Sequence, residues 1–190
     1  KTMQTDNCKE LAQKWFYKLR DNICKVFEEI EQDYCQKLSC PENPGVFTYK
    51  DWHRPGGGGG TMGIMHGQVF EKVGVNVSQV EGVFSDAFRS KIPGTETSGG
   101  FWASGISLVA HMRNPHVPAV HMNTRYLVTG QQWFGGGADL TPIYPNTEDT
   151  RFFHQAFKET CDRFDPTYYP RFKEWCDQYF YLPHREETRG

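Results

Sequence analysis

The chain lacks any apolar run approaching the roughly 18 residues that a membrane-crossing helix needs, and its first residues hold no signal-peptide-like apolar core. It lacks an excess of either charge. The 21 lysines and arginines against 23 acidic residues leave a net charge of −2, which argues against a general nucleic-acid binder. It has no internal repeat, and its run of five glycines lacks the Gly-Lys-Ser/Thr ending of a phosphate-binding loop. None of its six cysteines (Cys8, Cys24, Cys35, Cys40, Cys161, Cys176) is spaced C-x-x-C. Four of them fall in one helical segment and its end, and a helix cannot fold back to bridge its own distant cysteines. Free thiols in a reducing compartment are therefore expected. The expected location is cytoplasmic, or mitochondrial where a leader has been removed; the missing initial Met suggests a trimmed chain. Asn76-Val77-Ser78 is formally a glycosylation sequon, which carries weight only in the secretory route.

What is present reads as one domain. The length of 190 residues suffices for a sizeable core, and 15% aromatic residues fit a globular protein. Leu11, Trp15, Leu19, Ile23, Val26, Phe27, Ile30 and Tyr34 recur in steps of three and four, predicting a long amphipathic helix over about 5–34. Thr5 or Asp6 would cap it, and Pro41 and Pro44 would stop it. Residues 41–60, ending in Arg54-Pro55 and the glycine run, read as loop. Two strands are expected within 61–80, broken near His66-Gly67 or Glu71-Lys72, and a polar connection over 85–100. Further strands are expected at about 105–113, 118–128 and 138–143. Two helices would follow. The first has Phe153, Phe157, Cys161 and Phe164 on one face, and the second runs from about Pro166 to Phe180 with its aromatics turned inward. Short links between strands favour antiparallel pairing. The expected class is α+β, a large antiparallel β-sheet covered by α-helices on its faces.

The chemistry concentrates between Ser107 and Thr141. Strand faces repeat every two residues, so Ser107 and His111 share one face, and His121, Asn123 and Arg125 form a row on the next strand. Thr124 points the other way and would reach a ligand through its backbone. Gly135-Gly136-Gly137 reads as a turn that delivers Asp139. A carboxylate, two imidazoles and a guanidinium on adjacent strands suit an anionic ligand that also carries ionisable protons. Each has a plainer alternative: Arg125 as a surface ion pair, Asp139 as a turn former, His121 as a structural residue.

Three blocks, SLVAHMRNPHVPAVHMNTRYL, WFGGGADLTPIYP and YFYLPHREETRG, together with RPGGGGGTMGIMHGQVFEKVGVNVSQVEG, resemble the signature segments of oxygen-dependent coproporphyrinogen III oxidases. The resemblance runs in order from about Trp52 to the last residue. It implies oxidative decarboxylation of two propionates of coproporphyrinogen III to vinyl groups, giving protoporphyrinogen IX for haem biosynthesis, with dioxygen as co-substrate. It also implies a homodimer. The family continues beyond its match to Arg189-Gly190, so the chain reads as the N-terminal part of such an enzyme, with dimer-forming elements in the remainder.

The same resemblance assigns roles. His121 would handle protons, Asp139 would accept pyrrole N–H groups, and Arg125 would hold a propionate. Ser107, Asn123, Thr124, Arg185 and Arg189 would be further substrate contacts, and Arg54 would sit on a mobile rim loop. His111, His121, His154 and His184 match histidines for which a divalent metal has been proposed. Their separations of 10, 33 and 30 residues form no compact ligand motif. Arg151 and Lys158 beside His154 disfavour a cation there, and no metal or organic cofactor is expected to be required. Two other readings remain open at this point: a histidine-ligated metal oxidase, and a non-catalytic tetrapyrrole-binding fragment.

Overall fold

The computed structural model describes residues 2–96 and 98–190. Its order is α1 (Thr2–Leu38), β1 (Thr48–His53), β2 (Gly58–Met65), β3 (Phe70–Val83), α2 (Asp86–Arg89), β4 (Gly100–Met112), β5 (Ala119–Val128), β6 (Gln132–Thr141), α3 (Thr147–Asp162) and α4 (Tyr168–Tyr179). The six strands form one antiparallel meander in sequence order, β1 to β6. The α+β class is thus observed, and neighbouring strands are joined by local connections, the longest being the one from β3 to β4.

One sheet face and α1 make the core. Val73, Val75 and Val77 of β3 and Ile106, Leu108 and Ala110 of β4 are buried at every second position, against Ala12, Phe16 and Cys24 of α1. Period two on the strands meets periods of four and eight on the helix, as a sheet-on-helix core requires. The helix itself is as expected, and Leu19, Ile23 and Phe27 of the expected stripe pack against the core, but the most deeply buried residues lie beside that stripe. Ala12, Phe16, Cys24 and Glu31 are buried, while Leu11, Trp15, Val26, Ile30 and Tyr34 remain exposed. The helix also starts before the expected cap, and Asp6 pairs along it with Lys9. It stops after Leu38 through backbone geometry: Ser39 takes a φ of 49°, and the Cys40 N–H bonds back to the Cys35 carbonyl at 3.1 Å. A left-handed residue followed by a six-to-one bond is a Schellman closure, and it acts one residue ahead of Pro41.

Three further expectations change. Strand β1 lies inside the stretch read as loop; all six of its residues are exposed, so an edge strand showed no buried alternation. The glycine run forms a hairpin and the start of β2: Arg54 N–H bonds to the Gly58 carbonyl at 2.9 Å, and Gly58 through Gly60 pair with Val80, Gln79 and Ser78 of β3. The triple glycine lies within β6, paired to Arg125, Thr124 and Asn123, and the actual turn is Thr129–Gln131. A Cβ on Gly136 would come within 2.4 Å of the Asn123 carbonyl oxygen, so this pairing needs a residue with no side chain.

The break near His66-Gly67 is observed, and a register shift between Phe70 and Lys72 marks the second expected site. The 85–100 connection holds α2, with residue 97 outside the described residues. All six cysteines are free. The aromatics of α4 do not pack inward: Phe172, Trp175 and Tyr179 are exposed, and neither α3 nor α4 holds a buried residue. Helix α4 touches α3 and the β6 edge, so α1 covers one face of the sheet and the other face stays largely open.

Candidate active site

The open face carries the polar residues. In the central row Asn76 of β3 pairs with Ser107 of β4, Ser107 with Asn123 of β5, and Asn123 with Gly137 of β6. The rows on either side hold His121 opposite Asp139, and Gly105 between Ser78 and Arg125. Antiparallel partners lie about 5 Å apart, so these residues face the same few ångströms of solvent.

A hydrogen-bonded chain runs through them. Arg125 Nη2 donates to Asn123 Oδ1 at 3.2 Å. Asn123 Nδ2 lies 3.5 Å from His121 Nε2, and His121 Nδ1 lies 2.7 Å from Asp139 Oδ1. Thr141 Oγ1 closes the chain by donating to Asp139 Oδ2 at 3.1 Å. An ionised carboxylate only accepts, so Nδ1 of a neutral His121 carries the proton and Nε2 keeps its lone pair. The side chains of His121 and Asp139 are 26% and 15% exposed. Phe180 closes one side of the imidazole edge-on at 5.8 Å, and it also backs Gly137.

Of the residues expected at the site, the structure brings Ser107, His121, Asn123, Arg125 and Asp139 together. Asp139 differs from expectation in one respect: its first partner is His121, from the neighbouring strand. Thr124 is half-buried on the face toward α1. His111 shares the open face with Ser107, four residues further along β4, and is exposed. Arg185 and Arg189 both bind Glu187, at 3.0 and 2.7 Å, and these hydrogen bonds, from Arg189 first, hold its carboxyl below the usual range. Arg189 also anchors the terminus to the sheet, since its carbonyl accepts the Leu140 N–H at 3.0 Å.

The four histidines of the metal expectation are spread out. His154 is half-buried on α3, where burial and the nearby Lys173 push its pKa down; His184 is exposed in the terminal turn. Among the described residues, no three His, Cys, Asp or Glu side chains group so as to hold a metal ion. Arg54 is exposed in the β1–β2 hairpin. Asn76, Ser78 and Thr141 were missed. For Asn76 and Ser78 the signal was present, because the alternation with the buried Val75 and Val77 puts both on the polar face. Two grooves of about 500 and 350 Å³ run beside α1, away from His121.

An antiparallel sheet with one helix-covered face and one largely open face bearing an Asp–His pair, amides, hydroxyls and a guanidinium defines the class of the chain as α+β, with its polar groups gathered on one side of the strands. The family model for coproporphyrinogen III oxidase matches residues 13–190. An oxygen-dependent coproporphyrinogen-III oxidase from Rickettsia bellii (strain OSU 85-389) is 56% identical over 182 residues, covering 96% of this chain and 64% of its own length. The protein of the same name from Rickettsia akari (strain Hartford) is 56% identical over 188 residues, covering 99% of this chain and 66% of that protein. The chain belongs to the coproporphyrinogen III oxidase family. It spans slightly under two thirds of the length of these relatives.

Proposed function

We propose that this chain carries the substrate face of an oxygen-dependent coproporphyrinogen III oxidase. The observation that supports this best is the Arg125–Asn123–His121–Asp139 chain on the open face. Each propionate, R–CH2–CH2–COO⁻, together with dioxygen and one proton, gives R–CH=CH2, carbon dioxide and hydrogen peroxide. The two electrons leave the substrate side chain and reduce dioxygen, so the balance closes without a metal or organic cofactor.

Arg125 is exposed and permanently charged, and its guanidinium can hold a carboxylate through two parallel hydrogen bonds. Ser107 and Asn123 offer a hydroxyl and an amide beside it. Asp139 retains lone pairs beyond those used by His121 and Thr141, and these can accept pyrrole N–H groups. His121 Nε2 can take a proton as the pyrrole becomes electron-rich enough to reduce dioxygen, and Asp139 stabilises the imidazolium that forms. The strands hold these groups in fixed relation, which lowers the entropic part of the barrier.

The test is protoporphyrin formation from coproporphyrinogen III, with and without dioxygen and with metal chelated throughout, by this chain and by a version extended to the relatives' length. Oxygen-dependent product is expected, at two carbon dioxide and two peroxide per protoporphyrinogen. Arg125→Ala should lower kcat/KM by about 10- to 100-fold, the worth of a charge-assisted contact. Asp139→Asn should lower kcat by about 10²-fold or more. Porphyrin binding without turnover in both forms would establish a binding role in place of the enzyme. Loss of activity on chelation would establish a metal oxidase.

The homodimer belongs to the same proposal. The resemblance puts its dimer-forming elements beyond the match to Arg189-Gly190, and the exposed apolar residues along the outer side of α1 and on α3 and α4 are a further surface that a second copy can cover.

A further inference from the structure

We infer that Thr141 is a positioning residue of this site: its hydroxyl fixes the Asp139 carboxylate so that Asp139 holds His121 as the Nδ1–H tautomer with Nε2 free. The role rests on the reading of the open face as the oxidase's substrate face, but its geometry does not depend on which ligand lies there.

Register supplies the first part. Asp139 pairs with His121 and Thr141 with Ala119, so Thr141 is the next residue along the same face of β6. Its Oγ1 reaches Asp139 Oδ2 at 3.1 Å, while Oδ1 lies 2.7 Å from His121 Nδ1. The terminal torsion of an aspartate is broad and roughly two-fold, so packing alone selects no carboxylate plane. A donor on each oxygen does select one, because rotation breaks one bond or the other. The Asp139 side chain is only 15% exposed, which leaves water poorly placed to replace the hydroxyl. A β-branched residue on a strand also has few χ1 states, so the donor is pre-set.

The far side of the imidazole agrees. Arg125 occupies Asn123 Oδ1, which turns the Asn123 amide nitrogen toward His121 Nε2 at 3.5 Å. A donor there matches an unprotonated Nε2. Both neighbours therefore favour one tautomer, and Thr141 locks the nearer of the two. Thr141 acts through Asp139, the side chain its hydroxyl bonds.

The test is the tautomer of His121 in the 190-residue chain labelled with ¹⁵N-histidine, read from long-range proton–nitrogen spectra at about pH 8. The chain has seven histidines, so the His121 signals are assigned by their disappearance in His121→Asn. Wild type should show protonated Nδ1 and lone-pair Nε2. Thr141→Val, which keeps the shape and removes the donor, should give a mixed or inverted pattern in a chain that still unfolds cooperatively, at a somewhat lower melting temperature. Thr141→Ser should restore the wild-type pattern, and Thr141→Ala replaces the valine variant if that one does not fold. In turnover, Thr141→Val should lower kcat by about tenfold with KM unchanged, as expected for misorientation of a group that acts on bound substrate. A wild-type tautomer surviving in Thr141→Val overturns the inference, as does Nε2–H in wild type itself. If the spectra behave as expected and no form turns over coproporphyrinogen, the functional reading fails and the positioning role stands.

Discussion

Glu31 is fully buried, yet its carboxylate is among the best satisfied groups in the protein. It accepts backbone N–H groups from Gln68 at 2.6 Å, Val69 at 2.8 Å, Phe70 at 2.9 Å and Gly45 at 3.2 Å. Burial pushes its pKa up, but the four donors outweigh burial and hold the carboxyl below the usual range. The residue ties the last turns of α1 to the β2–β3 hairpin and to the segment entering β1. A folded pKa below the unfolded value of about 4.3 means the stabilisation is complete above that pH and fades as pH falls through the folded value. Glu31→Gln keeps one acceptor oxygen and turns an amide group on donors, at a cost of about 2–4 kcal/mol at pH 7. Urea unfolding at pH 7 and pH 4 measures both effects. The variant should be less stable at pH 7 and should lose less than wild type on acidification; equal losses would mean that Glu31 does not titrate across folding.

At the scale of elements, β6 is where the site depends most on backbone. Gly136 lies opposite Thr124, and an added Cβ would meet the Asn123 carbonyl at 2.4 Å; at Gly135 the nearest atoms are the Trp133 ring at 3.9 Å. Gly136→Ala should therefore push β6 off β5, cost about 1–3 kcal/mol, and separate Asp139 from His121. Gly135→Ala should be tolerated or slightly stabilising, since it only reduces unfolded-state freedom. Comparing the two variants by melting temperature and by the His121 tautomer separates register from bulk, and equal behaviour would refute the close-approach argument. The same glycines explain a limit of sequence reading. In β5 the site residues alternate with Met122 and Tyr126, so the row His121, Asn123, Arg125 was legible. In β6 three consecutive glycines carry no period-two signal and read as a turn, although the Asp139 beyond them was identified. Strand β1, exposed throughout, gave no signal for the same reason. In α1 the apolar periodicity gave the helix and the Leu19, Ile23 and Phe27 part of its inner face, but not Glu31, which is drawn inward by backbone donors that sequence does not reveal.

Across the whole molecule, apolar burial is uneven. The core joins α1 to one face of the sheet, whereas α3 and α4 hold no buried residue; Phe164 in the connection between them is exposed at 80%, and Trp175 of α4 at 73%. Among the described residues no helix is long and apolar enough to cross a membrane, so a bilayer-spanning helix does not account for these aromatics. Single exposed apolar side chains are ordinary, but several large aromatics on two adjacent helices suit a protein surface. With the homodimer proposed above, this predicts that the chain self-associates as its concentration rises through the micromolar range. Trp175→Ser with Phe164→Ser should weaken association by about tenfold or more, since each change removes roughly 1–2 kcal/mol of interfacial apolar contact. Because neither side chain is buried in the folded chain, the melting temperature at low concentration should not fall. Sedimentation velocity across a concentration series reads the association directly. A monomer at about 100 μM would remove this surface from the proposal, whereas association unaffected by the two substitutions would move the interface to the exposed stripe of α1, where Leu11 and Trp15 lie.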